Sequence, residues 1–162
     1  MNFERLPFAT IDHLRPITQG HQEVIFSPGK TVGQVVAIAE RLEAAGGSFL
    51  ATRVDAAQSA ALAARFPRAE VNELGRTVYM PPDPEPAPTG KGTVLICTAG
   101  TSDLAVAEEA AVSARALKNP VERLTDVGVA GIHRLLTQTD ILRSASVIIV
   151  VEIGRASCRE RV

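Results

Sequence analysis

The stretch Thr93 to Ala110, TVLICTAGTSDLAVAEEA, places an apolar strand, a turn of small residues and the start of a helix in direct succession. The β-branched run Thr93-Val94-Leu95-Ile96 reads as a strand buried on both faces, the pattern of a parallel sheet covered by helices. The turn Thr98-Ala99-Gly100-Thr101-Ser102-Asp103 reverses the chain sharply and leaves hydroxyl and carboxylate groups at a helix N-terminus. Open α/β sheets bind ligands at such strand ends, where unpaired N–H groups and the helix dipole attract anions. The segment predicts an α/β fold and a small anionic ligand.

Strands and helices alternate on both sides of a Pro-rich segment, Pro81 to Gly90, which predicts two modules joined by an extended linker. Before it come a strand at Glu23–Phe26 and a helix over Thr31–Ala45, capped by Thr31 and stopped at Gly46-Gly47. A strand over Ser48–Val54, a helix over Asp55–Phe66 ended by Pro67, and one strand near Val71–Tyr79 complete a predicted βαβαβ unit. After the linker the pattern gives strand Thr93–Thr98, helix Asp103–Lys118, strand Val121–Leu124, helix Ile132–Thr139 and strand Ser146–Val151. The expected division is 1–80 for the N-terminal α/β module, 81–92 for the linker, 93–151 for the second module and 152–162 for a tail. Three parallel strands are few for a doubly wound domain, so the second module reads as incomplete.

The 162 residues are 46% hydrophobic, enough for a core, and carry 17 basic against 18 acidic side chains. A net charge of -1 and 4% aromatic content exclude a general attraction to nucleic acid or anionic membranes and any run of stacking platforms. No apolar run approaches the roughly eighteen residues of a membrane span, so a soluble, cytoplasmic protein is expected. The two cysteines, Cys97 and Cys158, form neither a disulfide framework nor a zinc pattern, and no metal or cofactor is expected. Cys97 reads as a small core residue. After Val151 the composition changes abruptly to Glu152-Ile153-Gly154-Arg155-Ala156-Ser157-Cys158-Arg159-Glu160-Arg161-Val162. This tail resembles the translation of a common sequencing adaptor and is set apart from fold reasoning.

Several motifs carry chemistry. Pro28-Gly29-Lys30-Thr31 lacks the glycine that a phosphate loop needs where Val24 stands, so Gly29 reads as a turn, Thr31 as a cap and Lys30 as a solvated charge. Ser102 and Asp103 either cap their helix or face a ligand. Asp126-Val127-Gly128-Val129-Ala130-Gly131-Ile132-His133-Arg134 follows the next strand and should open on the same sheet edge. There Gly128 and Gly131 permit close backbone approach, Arg134 can clamp a phosphate or carboxylate, and His133 can exchange protons near neutral pH. Glu108 and Glu109 read as surface or helix-packing charge, and Asp12, His13 and Arg15 as a polar cluster of the leader.

AGTSDLAVAEEA (Ala99 to Ala110) and DVGVAGIHRLL (Asp126 to Leu136) together resemble the LarB family, the pyridinium-3,5-biscarboxylic acid mononucleotide synthases of nickel-pincer nucleotide biosynthesis. The resemblance extends into the first module through EVIFSPGKT (Glu23 to Thr31) and Ala51-Thr52-Arg53, and so covers nearly all of the chain before Glu152. The second module also resembles PurE-type aminoimidazole ribonucleotide carboxylases. Departures are Ala105, where the LarB family usually has proline, and Pro16 and Thr18, where its leader usually has arginines.

The resemblance implies an incomplete flavodoxin-like, PurE-like three-layer domain beside the small N-terminal module. It implies an enzyme that takes nicotinic acid adenine dinucleotide and CO2, carboxylates the pyridinium ring and hydrolyses the phosphoanhydride to release AMP, as a homo-oligomer when full length. An electron-poor ring cannot attack CO2 unless a thiolate first adds to it, and the family's cysteine lies beyond Val151. The chain alone is therefore expected to lack synthase activity and to aggregate through its uncovered sheet. Within it, Asp103 and His133 are the candidates for proton transfer. Gly100, Thr101, Ser102, Asp126, Gly128, Gly131 and Arg134 are the candidates for holding substrate. An aminoimidazole ribonucleotide carboxylase and a non-catalytic nucleotide-binding module are the alternatives.

Overall fold

The computed structural model describes residues 3–21 and 23–152, so the expectations for Cys158 and the rest of the tail after Glu152 lie outside the described residues. The chain divides after Ala87 into two compact units.

The first unit opens with a hairpin, β1 (Phe3–Leu6) against β2 (Ala9–Asp12), followed by the single-turn helix α1 (Arg15–Thr18). Its main sheet runs β3-β4-β6-β5, built from β3 (Val24–Phe26), β4 (Phe49–Thr52), β5 (Glu70–Asn72) and β6 (Thr77–Met80). Two helices, α2 (Val32–Gly46) and α3 (Ala56–Arg65), connect its strands. Both helices start on reciprocal capping boxes. Thr31 accepts from the Gln34 amide while Gln34 accepts from that of Thr31, and Asp55 and Gln58 do the same for α3. Gly47, at φ 68°, ends α2 in the left-handed conformation that glycine tolerates best.

The expected single strand near Val71–Tyr79 is instead a hairpin. Asn72 Oδ1 accepts from the Gly75 amide at 2.8 Å, and Arg76 takes a positive φ of 51°, which folds β5 back on β6. As a result β6 runs antiparallel to β4, and the sheet is mixed rather than the predicted βαβαβ. The core lies between this sheet and the helices, with Val35, Ala39, Phe49, Leu62 and Val78 at its centre.

The second unit is a parallel sheet in the order β8-β7-β9: β7 (Val94–Thr98), β8 (Val121–Leu124) and β9 (Val147–Val151). A 3-10 turn, Thr101–Asp103, leads into α4 (Leu104–Ala116), whose Ala107, Ala111 and Ala114 pack with Val94 and Ile96. The small alanine side chains let the helix lie close on the sheet. The expected helix Ile132–Thr139 ends early, as α5 (Ile132–Leu136), and a further short helix that was not expected, α6 (Thr139–Ser144), follows it. Thr137 and Thr139 donate from their hydroxyls to the carbonyls of Arg134 and Leu136, and this local bonding competes with helix continuation. Thr89 and Gly90, within the Pro-rich segment, donate their amides to the Lys118 carbonyl after α4. Among the described residues no helix is long and apolar enough to cross a membrane.

Candidate functional site

Parallel pairing of β7 with β8 puts the loops that follow them at one edge of the second sheet, and Thr98 ties those loops together. Its buried hydroxyl accepts from the Asp126 amide at 3.3 Å, and its carbonyl accepts from the Val127 amide at 3.0 Å. One residue later the Ala99 amide donates to the Val151 carbonyl of β9 at 3.4 Å. Gly128 is buried against this junction, where a Cβ would lie 2.9 Å from the Ala99 carbonyl oxygen. Only glycine permits that approach without moving backbone. The loop from Asp126 to Arg134 thus starts at the end of β7, the strand that leads into the Ser102 turn, held there by two hydrogen bonds to Thr98, a residue that sequence reasoning missed.

Asp103 is 3% exposed, and its Oδ2 accepts from the Gly100 amide at 2.9 Å. The Asp103 amide returns to the Gly100 carbonyl at 3.2 Å, so the carboxylate closes the turn that starts α4. Thr101 and Ser102 lie exposed on the outside of that turn. The first N–H groups of a helix have no intrahelical acceptor, so this corner can receive a phosphate or carboxylate oxygen with hydroxyls alongside.

On the facing loop Asp126 takes a positive φ of 59°, and its carboxylate is paired with the Arg134 guanidinium. Gly131 is buried beneath that guanidinium, since a Cβ there would stand 2.5 Å from Arg134 Nε. The glycine lets Arg134 fold back over its own loop. Both partners are exposed, so solvent screens the pair and an incoming anion can compete with Asp126 for the arginine. His133 is exposed and makes no side-chain hydrogen bond among the described residues. Asp103 is buried and His133 exposed, and among the described residues no hydrogen bond or ion pair joins these two expected proton carriers.

Other polar residues singled out from the sequence have structural partners. Glu108 takes a bidentate bond from Arg123 at 2.6 and 3.1 Å, joining α4 to β8. Lys30 is not simply solvated, because its Nζ donates to the Phe26 carbonyl at 2.6 Å. Asp12 accepts from the Leu14 amide, while His13 and Arg41 both contact Glu4. Cys97 is buried in β7, and burial pushes its thiol up from the ordinary range, which keeps it protonated and unreactive. No group of three or more potential metal ligands occurs among the described residues.

Residues 3–82 match the family described as the LarB/PurE-like N-terminal domain. The chain is also similar to the uncharacterized protein MJ0165 of Methanocaldococcus jannaschii, at 32% identity over 133 residues, covering 77% of this chain. It spans half the length of that curated relative. Residues 3–82 thus belong to the LarB/PurE-like N-terminal domain family, and the parallel sheet of the second unit agrees with an α/β, PurE-like architecture.

Proposed function

We propose that the chain is part of an enzyme that carboxylates the pyridinium ring of nicotinic acid adenine dinucleotide with CO2. Hydrolysis of the phosphoanhydride then gives pyridinium-3,5-biscarboxylic acid mononucleotide and AMP. Family membership supports carboxylase-like chemistry, and the observation that carries the site is the Thr98 junction between the loops after β7 and β8. On this reading the α4 corner at Thr101 and Ser102 receives a substrate oxyanion, and Arg134 exchanges Asp126 for a phosphate. Asp103 keeps the corner in shape through the Gly100 amide, which makes it a positioning residue. His133, exposed on the second loop, accepts the ring proton released after carboxylation.

The test is an assay of the protein extended to the length of its relatives, incubated with the dinucleotide and bicarbonate. AMP and the carboxylated mononucleotide should appear together, and Ser102→Ala and Arg134→Ala should each lower kcat/KM at least about tenfold. Turnover of aminoimidazole ribonucleotide instead would move the assignment to purine carboxylation. Dinucleotide binding without turnover would make the protein a nucleotide-binding module.

A further inference from the structure

Outside the second unit, the first contains a cleft of about 820 Å³ between α3 and the β5–β6 hairpin. That volume is within the roughly 300–1,000 Å³ typical of small-molecule sites. Ala56, Ala60 and Ala63 present one flat helical wall, and Val71 of β5 faces them. Flat, small-residue walls admit a planar ring at van der Waals distance.

The remaining wall is the turn that carries Glu73 and Arg76. Arg76 donates from Nε to the Val54 carbonyl at 3.0 Å and from Nη2 to the Arg53 carbonyl at 3.2 Å. These bonds fix the guanidinium plane and leave Nη1 with no partner among the described residues. The Glu73 carboxylate also has no side-chain partner there, and it does not pair with Arg76 three residues away. A preset cation and an unpaired carboxylate thus share one side of an apolar slot.

We infer that this cleft binds a nucleoside monophosphate. The phosphate meets Arg76, the ribose hydroxyls donate to Glu73, and the base lies against the alanines of α3. A bare phosphate would leave the slot empty, and an apolar ring alone would engage neither Arg76 nor Glu73, both of which face solvent at its rim. The assignment stands apart from the proposed carboxylation, which uses residues of the other unit.

Titration of the full chain with AMP, followed by amide nitrogen–proton correlation spectra, tests it. AMP should shift the amides of Ala60, Ala63, Val71 and Arg76, with adenosine and inorganic phosphate each binding at least about tenfold more weakly. Arg76→Ala should abolish these shifts. Because Arg76 also bonds backbone, Ala60→Leu, a change at an exposed helical position, blocks the slot without touching those bonds. Arg134→Ala should leave the shifts intact. Unchanged AMP binding in the Ala60→Leu protein, or equal affinity for adenosine, overturns the inference. Loss with Arg134→Ala alone also overturns it, while leaving the carboxylation reading in place.

Discussion

The two units solve the same problem, covering a small sheet, to unequal extents. In the first, large side chains fill the space between sheet and helices: Phe49 and Leu62 are fully buried, and the Phe49 and Phe66 rings meet edge-on at 4.8 Å. Its edge strands β3 and β5 are three residues long, and Arg53 covers the exposed Phe26 ring at 5.7 Å. In the second, α4 offers mostly alanine to the sheet, and β9 shows Val147, Ile148, Ile149 and Val150 at 37–67% exposure. Edge strands are normally short, charged or covered because their open N–H and C=O groups template association. The first unit follows that rule, whereas β9 is an apolar edge strand with most of its side chains exposed.

The largest expected effect tests where cohesion resides. Phe49→Ala removes a fully buried ring and its edge-to-face partner, and should cost the first unit about 4 kcal/mol. Denaturant unfolding followed by circular dichroism measures it. A loss below about 1 kcal/mol would show that the first unit is no better packed than the second.

A smaller contrast concerns how each unit holds a loop. Gln58 is 3% exposed and spends its whole amide on backbone: Oε1 accepts from the Asp55 amide, and Nε2 donates to the carbonyls of Lys30 and Ser27 at 2.8 and 3.4 Å. It ties the turn before α2 to the start of α3. Gln58→Ala should cost about 2 kcal/mol, since buried backbone groups are left unanswered. Asp103→Ala releases one amide in the second unit and should cost about 1 kcal/mol, with faster hydrogen exchange confined to the Gly100 turn. Unfolding free energies of the two variants rank them, and the reverse order would break the comparison.

Legibility from sequence follows the range of the forces involved. β7 and β9 begin one residue later than their apolar, largely β-branched runs suggest, and β8, Val-Glu-Arg-Leu, lies where the strand–helix alternation put it. The caps Thr31 and Asp55 are local signals and were readable as helix starts. The β5–β6 reversal was not, because it needs Arg76 in a left-handed conformation that its residue type does not announce. The same applies to the leader hairpin β1–β2, whose short strands lack a strong turn signature. At the candidate site, the Ser102-Asp103 turn and the Gly128–Arg134 loop were visible as motifs. Thr98, which joins them through a bond spanning 28 residues, has no local pattern, and neither does the inward turn of Asp103.

The smallest effect on stability should have the clearest effect on association. Val150 is 67% exposed on β9, and among the described residues that strand pairs only with β7. Val150→Lys removes little buried surface, so the unfolding free energy should change by less than about 0.5 kcal/mol. The same change puts a charge on an apolar edge, which opposes edge-to-edge pairing between copies. Light scattering across a concentration series should therefore show the lysine variant less associated than the parent chain. A variant at an exposed apolar position of the first unit, Val71→Lys on the short polar β5, where Val71 is 40% exposed, should leave scattering unchanged. Equal responses at Val71 and Val150 would mean that association does not run through β9, and the contrast between a short polar sheet edge and a long apolar one would fail.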